Sequence, residues 1–185
     1  MTKLIIVRHC ETEWNRKNKM QGQTDIALSK FGVSHAKLLA KRLSKIKIDT
    51  AYSSRMKRSV KTAEEILKFH KGIKLKKEKP LNEMSWGIFE GLSNSDIRVN
   101  YPELYRAMES DKFNFRIPNG ESPKILAVRV KKTLRNILRK NKNKTVLIVA
   151  HGGVNRTIIG IILKWSNEKI LSTRILNGSA RIINI

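Results

Sequence analysis

The sequence predicts an α/β fold, a three-layer sandwich in which a largely parallel central sheet is flanked by helices. Three observations carry this expectation. Short runs rich in Ile and Val alternate with helix-length amphipathic segments, the pattern of strands joined by crossover helices. Two of these runs close alike, Val7-Arg8-His9 and Val149-Ala150-His151, and open α/β sheets gather ligands beyond the C-terminal ends of their strands. The 185 residues show no repeat, linker or low-complexity boundary and suffice for a sizeable core, so a single domain over 1–185 is expected.

Lys3–Val7 is short, β-branched and free of polar alternation, which predicts a fully buried strand. Ser29 is placed to cap a helix that carries Ala36, Leu39, Ala40 and Leu43 at helical spacing. Asp49–Tyr52 reads as a second strand. A helix over about Lys57–Phe69 follows, with Val60, Ala63, Ile66 and Leu67 on one face, and Lys71-Gly72 ends it. Ile73–Lys76 is an edge-type strand whose lysines discourage further pairing. Residues 80–120, punctuated by Pro80, Pro102 and Pro118, form the least regular stretch and the expected substrate or lid segment. Trp86 and Phe89 are expected to pack beneath it. A long helix from Ser122 to Lys140 draws its apolar face from Ile125, Val128, Leu134, Ile137 and Leu138. Thr145–Ala150 is the clearest buried strand, followed by a helix over about Val154–Leu163 and a closing strand, Ala180–Ile185.

Composition narrows the function classes. Lys and Arg number 39 against 15 Asp and Glu, a formal charge of +24, which attracts anions of any kind. The charge is spread along the chain without aromatic interleaving, so a dedicated nucleic-acid function is not expected and small phosphorylated substrates are the better partners. Cys10 is the one cysteine, which excludes an intrachain disulfide and a Cys-based zinc site. The Leu4–Val7 run is too short for a membrane span or a signal-peptide core, so a cytoplasmic protein with no membrane association is expected. No coiled-coil seam marks an oligomer.

The stretch VRHCETEWNR, residues 7–16, admits two chemistries. As HC-x5-R it is a loop in which a Cys10 thiolate attacks phosphate while Arg16 and backbone amides wrap the dianion. Such a wrap favours glycine and small residues, whereas Glu11, Thr12, Glu13, Trp14 and Asn15 bring two carboxylates and an indole. As Arg8-His9 it offers a histidine nucleophile beside a cation. Phosphoryl transfer needs such a nucleophile, cationic donors for the equatorial oxygens and an acid for the leaving oxygen. Arg58 and His151 supply further donors, and Glu83 is a carboxyl in the irregular stretch, with Glu78 and Glu90 as neighbouring competitors.

With these motifs taken together the chain resembles the histidine phosphatase superfamily, in its phosphoglycerate mutase-like branch of small phosphatases. The resemblance spans nearly the whole length and rests on an ordered set: RHCETEWN, MQGQTDIALSKFG, YSSRMKRSVKTAE, LNEMSWGIFEG, PNGES and VLIVAHGGVNR. It implies that His9 is phosphorylated, that Arg8, Arg58 and His151 hold the phosphoryl oxygens, and that Asn15, Gln21 and Gly152 line the phosphate or substrate pocket. Glu83 would protonate the leaving alkoxide and then activate water. Cys10 departs from the family's usual glycine, which leaves its local backbone open between a strained and an ordinary conformation.

The resemblance implies a metal-independent phosphomonoester hydrolase with no cofactor. A phosphoglycerate mutase is the alternative, and only then would 2,3-bisphosphoglycerate serve as primer. The short interval between Glu83 and His151, the missing mutase-like continuation after Glu83 and the stop at Ile185 favour hydrolysis. A non-catalytic phosphate-binding protein is the third reading, and the retained carboxyl at Glu83 speaks against it.

Overall fold

The computed structural model describes residues 1–185. Five strands, β1 (Lys3–Arg8), β2 (Thr50–Ser53), β3 (Leu75–Lys77), β4 (Thr145–Ala150) and β5 (Ala180–Asn184), form one sheet in the order β3-β2-β4-β1-β5. β1, β4, β2 and β3 are mutually parallel, and β5 joins β1 antiparallel at one edge. This is the α/β sandwich that the sequence predicts.

Side-chain alternation along the two central strands divides the interior. Leu4, Ile6, Val146, Ile148 and Ala150 face a larger core closed by α6 (Pro123–Lys140) and α7 (Gly152–Ile162). Ile5, Val7, Leu147 and Val149 face a smaller one closed by α2 (Lys30–Leu43) and α3 (Lys57–Leu67). Both faces of the central strands are therefore dry, which is why their sequences are continuously apolar.

Two expectations need correction. Ile125 and Val128 do not belong to the buried face of α6: they are 38% and 66% exposed, while Leu126, Val130, Thr133, Leu134 and Ile137 face the core. That stripe advances by four, three, one and three residues and accommodates Thr133, a polar residue whose hydroxyl bonds back to the Arg129 carbonyl at 2.8 Å. The stretch 80–120 is also more regular than its prolines suggest. Beyond 3₁₀ turns at Lys79–Leu81 and Gly87–Phe89 it holds α4 (Asn94–Asn100) and α5 (Pro102–Ser110). Ser93 and Asp96 form a reciprocal capping box at the start of α4, and Pro102 occupies the first turn of α5, where its missing N–H costs nothing. Two further short helices, α1 (Glu13–Arg16) and α8 (Asn167–Ser172), are each opened by a threonine or serine cap. No helix is long and apolar enough to cross a membrane.

Asn141 ties the end of α6 to the sheet. Its amide donates to Tyr52 Oη at 3.0 Å and the Ile137 carbonyl at 2.7 Å, and its Oδ1 accepts from Thr50 Oγ1 at 2.9 Å. The residue is 1% exposed. Asn141→Ala leaves those groups without partners, and urea denaturation should show a loss of about 2–3 kcal/mol with an unchanged m-value. A loss below about 0.5 kcal/mol, the range of neutral surface changes, would contradict this assignment.

Candidate active site

The register of β1 against β4 builds the site. Arg8 lies opposite Ala150, and the ladder continues one step as the His9 amide donates to the Ala150 carbonyl at 2.9 Å. The next residue of each strand is therefore delivered to the same spot, and the His9 and His151 rings stand 5.1 Å apart at 61°. They are 3% and 0% exposed.

Each ring is oriented by one bond. His9 Nδ1 lies 2.7 Å from the Cys10 carbonyl. A carbonyl only accepts, so Nδ1 carries the proton and Nε2 keeps its lone pair. His151 Nε2 lies 2.8 Å from Ser54 Oγ and 3.4 Å from Ser59 Oγ, two hydroxyls that can each donate to it. The other ring nitrogen, Nδ1, is buried with no partner in the chain, and it carries the proton in the tautomer in which a serine donates to Nε2. Burial holds both imidazoles well below their usual range, reinforced at His9 by Arg58 and Arg8, and at His151 by Arg58, His9 and Arg8.

Arg58 enters from the first turn of α3, whose Lys57 amide is capped by Asp25 Oδ1 at 2.7 Å. The guanidinium is fully buried. It donates to the carbonyls of Thr24 at 2.8 Å and Gly22 at 2.7 Å, meets no carboxylate, and leaves Nε without a partner. Burial pushes it down to about 10, so it remains charged at neutral pH. Gly22 is required here: its φ is +50°, and a Cβ would run into the Glu90 carboxylate. Arg8 donates from Nη1 to the Ile175 carbonyl at 2.5 Å, and its Nε is likewise buried and unpartnered.

Glu83 follows the first 3₁₀ turn. Its carboxylate accepts from the Gly153 amide at 3.1 Å and its own neighbour Met84 at 2.9 Å. A Cβ on Gly153 would lie 2.6 Å from Glu83 Oε1, so the second glycine of AHGG makes room for the carboxyl. Gly152 lies beside the Arg8 guanidinium as the first residue of α7, where helix amides are free to donate outward. The competing carboxylates are accounted for elsewhere. Glu90 accepts from the amides of Gln23 at 2.9 Å and Trp86 at 3.1 Å and from the Thr24 hydroxyl. Glu78 lines a separate groove with Tyr52 and Lys140.

Asn15 lines the main cavity, of about 850 Å³. Its Oδ1 is taken by the amide and hydroxyl of Thr12 and by Asn177 Nδ2, each at 3.1 Å, so Nδ2 is the end left for a ligand. Gln21 is 8% exposed, outside the lining of that cavity, with Oε1 unpartnered. Phe89 packs into the core as expected, and Trp86 packs against that core while also lining the cavity.

The thiolate reading fails on three counts. Cys10 is 0% exposed and packs in the smaller core, burial raises its thiol to about 11, and Arg16 points into solvent, paired with Glu13 at 2.7 Å. The residue also has ordinary negative φ, since only Asn18, Asn119, Asn143 and Lys164 among non-glycines have positive φ. Cysteine in place of glycine is therefore unstrained.

Sequence reasoning missed the residues that hold this set in place. Arg129, hidden among the basic positions of α6, donates to the carbonyls of Pro80 and Asn82 at 2.7 Å and of Glu83 at 2.9 Å, and pairs with Glu121 at 2.7 Å. Glu121 lies in the PNGES motif, the one available signal. Asn177 and Gly178 bond the His9 carbonyl at 3.1 and 3.2 Å, and Arg156 and Arg174 line the cavity.

A parallel sheet that delivers two buried histidines among arginines defines an anion-handling α/β protein of the phosphoglycerate mutase-like fold. The model of the histidine phosphatase superfamily (branch 1) matches residues 4–185. Phosphoserine phosphatase 1 of Hydrogenobacter thermophilus is 34% identical over 185 residues, 100% of this chain and 87% of that one. A 2,3-bisphosphoglycerate-dependent phosphoglycerate mutase of Bartonella henselae is 31% identical over 181 residues, 95% of this chain and 88% of that one. The solved structure of Bacillus stearothermophilus YhfR matches with a TM-score of 0.89 at 28% identity, covering 100% of this chain and 92% of that one. The chain belongs to the histidine phosphatase superfamily.

The depressed histidines give stability a pH dependence. Above about pH 6.5, the unfolded value, both states hold neutral imidazoles and the groups contribute nothing. Below it the unfolded chain takes up protons that His9 and His151 cannot take up while buried, so stability falls as pH drops until their folded values are reached. Urea denaturation between pH 7 and 5 should show this fall, with a slope approaching about 1.4 kcal/mol per pH unit for each histidine. The variant carrying both His9→Gln and His151→Gln should be flatter. An equal slope in that variant would contradict the assignment.

Proposed function

We propose that this histidine phosphatase hydrolyses small phosphomonoesters without metal or other cofactor, through a phosphohistidine on His9, in the cytoplasm where the unpaired Cys10 thiol persists. One observation carries the reading. Arg8 Nε, Arg58 Nε and His151 Nδ1 are buried nitrogens with no partner in the chain, and a phosphate dianion answers all three when Nδ1 carries the imidazole proton. The same cationic setting disfavours a metal ion between the two imidazoles.

In the first step His9 Nε2 attacks phosphorus in line as the ester P–O bond breaks, and the carboxyl proton of Glu83 passes to the departing alkoxide. Arg8, Arg58, His151 and Asn15 hold the equatorial oxygens, with the Gly152 amide as a further donor and Gln21 behind them. In the second step water attacks the phosphohistidine, gives its proton to the Glu83 carboxylate, and the P–N bond breaks to return neutral His9 and inorganic phosphate. The Hydrogenobacter relative makes phosphoserine a substrate to try first, and the Bartonella relative supports mutase activity as the second reading. Hydrolysis is preferred because the segment from Glu83 to His151 is short and carries no paired arginines.

A phosphomonoester panel with added chelator tests the reading. Wild type and Cys10→Ala should turn over comparably, and His9→Ala should lose about 10³-fold or more. Loss of turnover in Cys10→Ala with retention in His9→Ala would overturn it. Interconversion of phosphoglycerates primed by 2,3-bisphosphoglycerate, faster than phosphate release, would replace it with the mutase reading.

A further inference from the structure

The cavity outside the two histidines is more cationic than removal of a phosphoryl group requires. Arg8, Lys19, Lys112, Arg156 and Arg174 line it, and the one carboxylate in its wall, Glu109, is already paired with Lys112 at 3.0 Å. Arg8 belongs to the phosphoryl site. Arg156 projects from the second turn of α7 and is anchored from Nη1 to the Leu171 carbonyl at 3.0 Å. Arg174 lies on the loop between α8 and β5, next to Ile175, whose carbonyl Arg8 holds at 2.5 Å. Neither arginine forms a salt bridge, and the carboxylate whose charge reaches Arg156 is Glu83.

Both arginines also line the smaller adjoining cavity, of about 210 Å³, which contains Glu83 and Arg8. Glu83 is the acid that meets the leaving oxygen, so this is where the leaving group's substituents must lie. An arginine fork recognises a carboxylate or phosphate, whereas an ammonium group would join an excess of like charge.

We propose that Arg156 and Arg174 form a second anion subsite that selects phosphomonoesters whose leaving group carries its own carboxylate or phosphate and no ammonium. The inference rests on the hydrolase reading above. It places the deaminated acid, or a bisphosphate, ahead of phosphoserine as substrate for this chain.

Steady-state kinetics of the full chain on matched esters tests it: 3-phosphooxypropanoate, O-phosphoserine, O-phosphoethanolamine, propyl phosphate and propane-1,3-diyl bisphosphate. The acid and the bisphosphate should exceed propyl phosphate in kcat/KM by about tenfold, the acid should exceed phosphoserine, and phosphoethanolamine should rank last. The acid-to-propyl ratio should fall toward one in Arg174→Ala, an exposed position, and in high salt. The relative size of the acid and bisphosphate effects tells which anion fits better. Phosphoserine outranking the acid, or a ratio that survives Arg174→Ala, would overturn the subsite while leaving the hydrolase reading intact. No turnover of any ester would overturn the hydrolase reading and the subsite with it.

Discussion

The pairing of β1 with β4 is the constraint on which the site depends. Parallel register opposes Arg8 to Ala150, and the next residue of each strand is a histidine. Two imidazoles from distant parts of the chain thus meet at a point too dry to protonate them. Their neutrality is a consequence of place, since burial and the nearby guanidiniums both oppose the imidazolium. Neutrality is also what a nitrogen nucleophile needs.

Around this pair the chain spends its polar groups on orientation. The Cys10 carbonyl fixes the proton of His9 on Nδ1, which leaves Nε2 its lone pair, and Ser54 orients the His151 ring through Nε2. Arg129 gathers the carbonyls of Pro80, Asn82 and Glu83 and thereby sets where the Glu83 carboxyl begins. Glu90 does the same for the Gly22 turn that receives Arg58. A buried guanidinium without a carboxylate partner costs free energy in the absence of an anion, and that cost is a measure of how strongly the site favours one.

The strand ends and their histidines were legible because continuous apolar runs declare buried parallel strands, and such strands point their C-terminal residues at ligands. Arg58 and Glu83 were legible only through ordered motifs. What sequence did not disclose lies at the tertiary level. Arg129, Arg156 and Arg174 look like three more positions in a basic chain, and only packing shows that one clamps backbone while two face a cavity. The face of α6 was misplaced because Ile125 and Val128 are apolar yet exposed, with Thr133 taking an inward position by bonding its own helix. Pro102 read as a breaker although it opens α5. Cys10 left its local backbone open between a strained and an ordinary conformation, and the structure shows an ordinary one whose carbonyl holds Nδ1 of His9.

In the proposed mechanism phosphorus is carried on Nε2 of His9, because Nδ1 is committed to the Cys10 carbonyl. The direct measurement is nitrogen–phosphorus coupling in the alkali-quenched phosphoenzyme of the full chain, prepared with ¹⁵N-labelled histidine, combined with peptide mapping of the modified residue. One phosphohistidine is expected, at His9, coupled through Nε2. Phosphorus on Nδ1, on His151 or on the sulfur of Cys10 would contradict it.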